Sequence, residues 1–213
     1  MARRDDVMAQ ICELVSTSDP AGADAFVRSY YGQLGDDDLV TWTTEELATA
    51  ALEHWRFGAR RRPAEALVRV YTPARGHTAV DVVLDDMPFL VDSLTMALDR
   101  RNLGVHLVVH PILCVRRSQA GGLLGMAPDG KPAGDGERLV LESWTHIEID
   151  RETNAEILES VRTDLLSVLH DVRAATSDWK QMLDTLEQVA ADLDRAPPPC
   201  ADEELATAAL EHW

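Results

Sequence analysis

The sequence is poor in aromatics and cysteine, has no long apolar run, and carries far more acid than base. Aromatic residues occupy only 5% of its 213 positions, so a core built from it has to be mostly Leu, Val, Ile and Ala. Its three cysteines, Cys12, Cys114 and Cys200, stand far apart and form no CxxC pair. That argues against a disulfide framework or a structural zinc site and predicts a reducing, cytoplasmic setting. No stretch approaches ~18 consecutive apolar residues, so no membrane-spanning helix is expected. The basic start at Arg3-Arg4 has no apolar run behind it and does not read as a signal peptide. With 37 acidic and 20 basic residues the formal charge is −17. A chain so acidic repels the phosphate backbone and anionic lipid, which excludes nucleic acid and membrane as expected partners.

What is present suffices for a packed fold. Hydrophobic residues make up 46% of the chain, enough for one domain with an extension or for two small ones. Residues 1–62 read as a helical arm. Val7, Ile11, Leu14 and Val15 recur at helical spacing before Asp19-Pro20, and a second helix covers Ala23 to Leu34. A third starts at Thr43, where Thr43-x-x-Glu46 has the form of a capping box. The cluster Arg60-Arg61-Arg62 is expected to close that helix before Pro63, its cations complementing the helix dipole, with anion binding as the alternative.

From Leu67 the pattern changes to β-branched runs. Residues 67–71 and 78–84 read as strands. Pro88 suits the first turn of a following helix, which Gly104 closes. Val105 to Val115 reads as one strand, 118–136 as a long loop, and Leu139 to Ile149 as its partner strand. Thr153-x-x-Glu156 is a second apparent capping box. The helix it opens is followed by renewed helical spacing from Trp179 to Leu193, ended by Pro197-Pro198-Pro199. The tryptophans are expected in the core.

The order strand, helix, strand, strand, helix is most of a split βαβ unit. The expected fold class is therefore α+β: a ferredoxin-like antiparallel sheet over residues 63–175 with helices on one face, preceded by the arm and followed by a helical tail over 176–213. Either the early strand 67–71 or a segment beyond the chain completes the sheet. EELATAALEHW occurs at Glu45–Trp55 and again at Glu203–Trp213, too far apart for a solenoid repeat. A chain stopping directly after that repeat is expected to be a truncation.

Asp85-Asp86-Met87-Pro88-Phe89-Leu90-Val91-Asp92-Ser93 resembles the DDMPFLVDS motif near the start of large bacterial NAD-dependent glutamate dehydrogenases. Further stretches resemble the same family in the same order. They are Phe26-Val27-Arg28-x-Tyr30-Tyr31, His54-Trp55-Arg56-Phe57, His106-Leu107-Val108-Val109-His110-Pro111 and Ser143-Trp144-Thr145-His146-Ile147-Glu148-Ile149-Asp150. The similarity runs from about Asp24 to Trp179. It implies an ACT-like regulatory module at the N-terminus of a longer enzyme that oxidises L-glutamate with NAD and water to 2-oxoglutarate and ammonia. The remaining domains of that enzyme and further copies of the chain would be its partners. In ACT modules a small effector, often an amino acid, sits at the turn after the first strand. The resemblance puts that turn at Asp86, Met87, Pro88 and Phe89, with Phe89 where the usual turn has Gly. Protein packing at this turn stands beside ligand binding.

The residues themselves supply no catalytic apparatus. No GxGxxG follows a strand, and Asp129-Gly130-Lys131-Pro132 has Pro where a phosphate loop needs Ser or Thr, so no cofactor is expected to bind this chain itself. Ser93 has no GxSxG elbow around it. The rival chemistry is a metal site. His106 and His110 share one strand face, His146 and Glu148 share another, and in a suitable register the four would converge as zinc or iron requires. Three readings follow: a regulatory and assembly module, a free-standing amino-acid sensor of the same fold, and a small His/Glu metal-dependent enzyme.

Overall fold

The computed structural model describes residues 2–18, 23–35, 42–73, 76–127, 129–131, 134 and 136–195. The second EELATAALEHW copy, Cys200 and the triple proline lie outside the described residues. Residues 1–173 form one compact unit and 174–213 a second.

Among the described residues three helices come first: α1 (Ala2–Ser18), α2 (Ala23–Tyr30) and α3 (Thr44–Phe57). The box at the head of α3 is complete. The Thr43 side chain accepts from the Glu46 N–H at 3.2 Å, and the Glu46 carboxylate accepts from the Thr43 N–H at 3.0 Å. α3 ends sooner than expected, with Gly58 as its cap. A Cβ there would fall 2.2 Å from the Trp144 ring, so only glycine lets the chain pass. The arginine triplet is therefore not the last turn of α3. Arg61 is instead buried, 1% exposed, and bonds Glu142 and Asp85.

The strands are β1 (Leu67–Tyr71), β2 (Thr78–Asp85), β3 (Val105–Val109), β4 (Ile112–Ser118), β5 (Leu123–Met126) and β6 (Glu137–Ile149). They make one antiparallel sheet in the order β1-β2-β6-β4-β5, with β3 also on β6. The early strand β1 takes the edge beside β2. β3 and β4 were expected as one strand, and they keep one register: Val109 faces His146 and Ile112 faces Ser143. Pro111, which has no N–H to give, interrupts them, while its carbonyl still accepts from the Trp144 N–H at 3.0 Å. The long loop 118–136 contains β5, returned onto β4 by a turn in which Gly121 has φ +86°.

Helices α4 (Leu90–Asp99) and α5 (Ala155–Thr176) complete this unit. α4 begins after Pro88, with Phe89 at its N-cap in the left-handed region at φ 63°. It ends on Asn102, φ 55°, rather than Gly104: the Leu103 N–H reaches back to the Leu98 carbonyl in a Schellman closure. α5 is capped by Asn154, whose side chain accepts from the Glu156 N–H at 2.9 Å, not by Thr153.

Each sheet face has its own core. Val68, Val80, Val82, Leu84, Ile147 and Ile149 meet α4 and α5 on one side. Val83, Leu107, Val109, Leu113, Val115 and Trp144 meet α1, α2 and α3 on the other. The helices of the strand-helix-strand pattern thus share a face, and the arm covers the opposite one. In the second unit α6 (Trp179–Arg195) exposes Trp179, Met182, Leu186 and Val189, so Trp179 is not a core residue. Among the described residues no helix is long and apolar enough to cross a membrane.

Candidate functional site

Strand alternation puts Arg69, Asp81, His146 and Val109 side by side on the arm face, one residue from each of four strands. From above, α3 lowers His54 onto this rung. Asp81 is fully buried and is the hub. Its Oδ1 lies 2.6 Å from His146 Nδ1, and its Oδ2 accepts from Arg69 Nε at 2.7 Å. His54 Nδ1 is 3.7 Å from Asp81 Oδ1 and 2.7 Å from the Tyr30 hydroxyl. His146 Nε2 lies 3.5 Å from Glu148 Oε1.

The two imidazoles are driven apart by their surroundings. Burial pushes His54 down to about 4, with Asp81 opposing, so it is neutral at pH 7. Burial would also lower His146, but Asp81 and Glu148 on its two nitrogens outweigh it and raise it to about 9. Burial would raise Asp81, yet His54, His146 and Arg69 hold its carboxyl well below the usual range. The result is a buried carboxylate between an imidazolium and a guanidinium. Ligand-type atoms of His54, Asp81 and His146 lie within 4.8 Å of one another, the only such group among the described residues. Asp81 Oδ1 and His146 Nδ1 already share a hydrogen bond and Arg69 holds the other oxygen, so the trio is built as a charge network rather than as an open cation cage.

The sequence-predicted quartet does not converge. Leu107 faces Glu148 and Val109 faces His146, so His110 falls on the opposite side of the sheet, while a register shift between Val105 and Leu107 leaves His106 outside the strand pairing. His106 instead pairs with Asp150 at 2.7 Å and packs on His77, their ring centroids 4.0 Å apart. His110 is lowered by burial, with Asp86 opposing. His54, which completes the observed trio, was legible only as part of the motif His54-Trp55-Arg56-Phe57.

The next rung, Tyr71, Ala79, Glu148 and Leu107, floors a cavity of about 460 Å³ roofed by α3. Tyr31, Trp42 and Glu53 contribute to its walls, and His146 reaches it from the charge network. Burial and the Asp81 charge raise the Tyr71 hydroxyl, so it stays protonated.

The turn Asp86–Phe89 lies at the other end of β2, about 20 Å from Ala79 at ~3.3 Å per residue. It hangs from β6 through the Asp86 N–H and the Leu141 carbonyl, 3.0 Å apart. Asp86 and Pro88 are exposed, Met87 packs against the aliphatic core, and Phe89 is 57% exposed. None of the four lines the cavity.

Two buried arginines, Arg61 and Arg117, flank the arm-face core. Glu142 Oε1 accepts from Arg61 Nε at 3.0 Å, and Glu142 Oε2 accepts from an Arg117 NH2 at 2.8 Å and from Trp144 Nε1 at 3.1 Å. Arg117 also donates to the carbonyls of Gly58 and Gly121, each at 3.0 Å. This cluster ties the α3 exit, the β4–β5 hairpin and β6 together.

The family model described as Glutamate dehydrogenase, ACT1 domain, matches residues 26–165. Among curated proteins, the chain is similar to the NAD-specific glutamate dehydrogenase of Pseudomonas aeruginosa, 32% identical over 84% of this chain and 11% of that protein. The enzyme of the same name from Halomonas elongata is 32% identical over 85% of the chain and 12% of its own length. That of Mycobacterium tuberculosis is 30% identical over 80% and 11%. The chain thus spans about a tenth of the length of these relatives.

Proposed function

Since the chain belongs to the glutamate dehydrogenase family through its ACT1 domain, we propose that it is a non-catalytic regulatory and assembly module of a longer enzyme. That enzyme would convert L-glutamate, NAD and water to 2-oxoglutarate, ammonia and NADH, with NAD held by other domains. The organisation we propose is a helical arm over 1–62, an ACT-like domain over 63–175 and a helical tail over 176–213. The partners are the remaining domains and further copies of the chain, in the cytoplasm. The observation that carries this reading is that the matched stretch, 26–165, lies within the compact unit of residues 1–173. There the buried ionisable side chains are bound to one another in networks that hold layers together, an arrangement suited to transmitting geometry rather than to chemistry on a substrate.

Regulation by such a module requires two arrangements of the parent enzyme and a ligand or contact that favours one. The purified chain, assayed for glutamate-dependent NADH formation, is expected to show none. Deleting the corresponding region from a full-length relative is expected to change its assembly or its effector response while leaving glutamate oxidation measurable. Turnover by this chain alone would overturn the reading. The cavity favours one addition, that the module also binds a small molecule.

A further inference from the structure

We propose that the cavity between α3 and the sheet is a binding site for a small organic cation, an aliphatic amine carrying net positive charge. The proposal rests on the regulatory reading only for its biological meaning; the binding itself is a property of this chain.

Size is the first argument. About 460 Å³ is within the range of small-molecule sites and large enough for a metabolite with a hydrocarbon body. Its walls are the second. Tyr31, Trp42 and Tyr71 are aromatics from three different segments of a chain with few of them. Aromatic faces attract an ammonium or guanidinium through the ring quadrupole, as Tyr71 already does for the Arg69 guanidinium, 4.4 Å from its ring centroid. The third argument is charge. Glu53 on the α3 wall is half-exposed, with Arg69 only at 3.9 Å. Glu148 on the floor is 12% exposed, its Oε1 is 3.5 Å from His146, and its buried Oε2 has no hydrogen-bond partner. A carboxylate oxygen removed from water without a donor is costly, so Glu148 brings unused acceptor capacity to the floor. His146 is the cation at that floor, and it is shared with Asp81. Glu45 and Glu46 add further negative charge at the rim.

These features select against the ordinary α-amino acid zwitterion, whose carboxylate would meet the same glutamates. They also place this site at the opposite end of β2 from the Asp86–Phe89 turn, so occupancy of the two positions would be separable. A cation here would bear on Glu148, His146 and Asp81 in turn and so reach the charge network that joins α3 to the sheet.

The test is calorimetric titration of the full 213-residue chain with 1,4-diaminobutane, with butane-1,4-diol as the uncharged isostere and glycine as the zwitterion. The expected result is saturable binding of the diamine with Kd of ~1 mM or tighter, and at least tenfold weaker binding of the other two. Glu148→Gln and Glu53→Gln, each preserving shape, are expected to weaken the diamine about tenfold, a loss of ~1.4 kcal/mol. Circular dichroism confirms that each variant is folded. Asp86→Asn, at the distant turn, is expected to leave the affinity unchanged. Absence of diamine binding, equal binding of the diol, or full affinity in both glutamine variants would overturn the proposal. Because no enzyme activity is read, failure here leaves the deletion experiment on a full-length relative to decide the regulatory reading separately.

Discussion

The two faces of this sheet are built from different chemistry. Under α4 and α5 the buried layer is aliphatic, with Val80, Val82, Leu84 and Ile147 meeting Leu94, Leu98 and Leu165. Under the arm, successive rungs run from the cavity floor to the His–Asp–Arg network, then Trp144, then the Arg–Glu cluster. The aliphatic face is stabilised by removing apolar surface from water, ~1.5–3 kcal/mol per large side chain, and is indifferent to pH. The arm face also buries a hydrophobic core, including Phe26, Leu107, Val109 and Trp144, and adds to it paired charges whose mutual attraction mainly offsets their own desolvation. Both faces therefore supply stability through apolar burial, and the charges of the arm face fix which helix arrangement sits on the sheet.

That contrast can be broken most directly at its hub. Asp81→Ala leaves the buried His146 and the half-buried Arg69 without their carboxylate and is expected to cost about 3–5 kcal/mol in urea unfolding; a loss under ~1 kcal/mol would mean the network does not hold the arm. On the other face Leu94→Ala is expected to cost about 3 kcal/mol through the cavity it leaves, by the same amount at pH 6 and pH 9. The unmodified protein, by contrast, should weaken with base. His146 is raised from 6.5 to about 9 in the fold, so its contribution is complete below pH 6.5 and is lost as pH climbs through 9, on the order of 3 kcal/mol. His54 acts with the reverse sign. It is lowered to about 4, so between pH 6.5 and 4 the unfolded chain takes a proton that the fold refuses, and stability falls with acid. Urea titrations across pH should therefore peak near pH ~6.5, and Asp81→Ala should flatten the alkaline limb. Tyr30→Phe removes the hydroxyl at His54 Nδ1 and is expected to cost ~1 kcal/mol by the same measurement. The smallest effect expected has the opposite sign. Phe89→Gly relieves the left-handed backbone at φ 63° and should raise thermal stability by a few tenths of a kcal/mol, since glycine's greater freedom when unfolded offsets most of the relief.

Much of the aliphatic face was legible in the sequence, because it follows from periodicity. The strands at 67–71 and 78–84, α4 and α5 all carry apolar residues at the spacing their structure requires. The Thr43–Glu46 box was legible for the same local reason. Errors came where two local signals competed: Asn102 took the left-handed position assigned to Gly104, and Asn154 took the cap assigned to Thr153. The arm face was harder, because it depends on register. Which parity of β3 faces which parity of β6 cannot be read from either strand, nor can the register shift between Val105 and Leu107; the first separated His110 from His146 and Glu148, and the second took His106 out of the pairing. Arg61 and His54 were invisible as buried groups because their partners, Glu142 and Asp81, are distant in sequence and on other elements. β5 was missed because its short run, Leu123 to Met126, is embedded in glycines.

The edge strand β1 has a consequence for synthesis. Every described strand of the sheet comes from residues 67–149, and the edge beside β2 is filled by a segment made earlier rather than later. Once α5 has left the ribosome the whole of this unit is available to close. If the polypeptide continues as far as its relatives do, the module can fold while most of the chain is still untranslated. It would then stand with its surfaces formed before most of the residues that follow it are made.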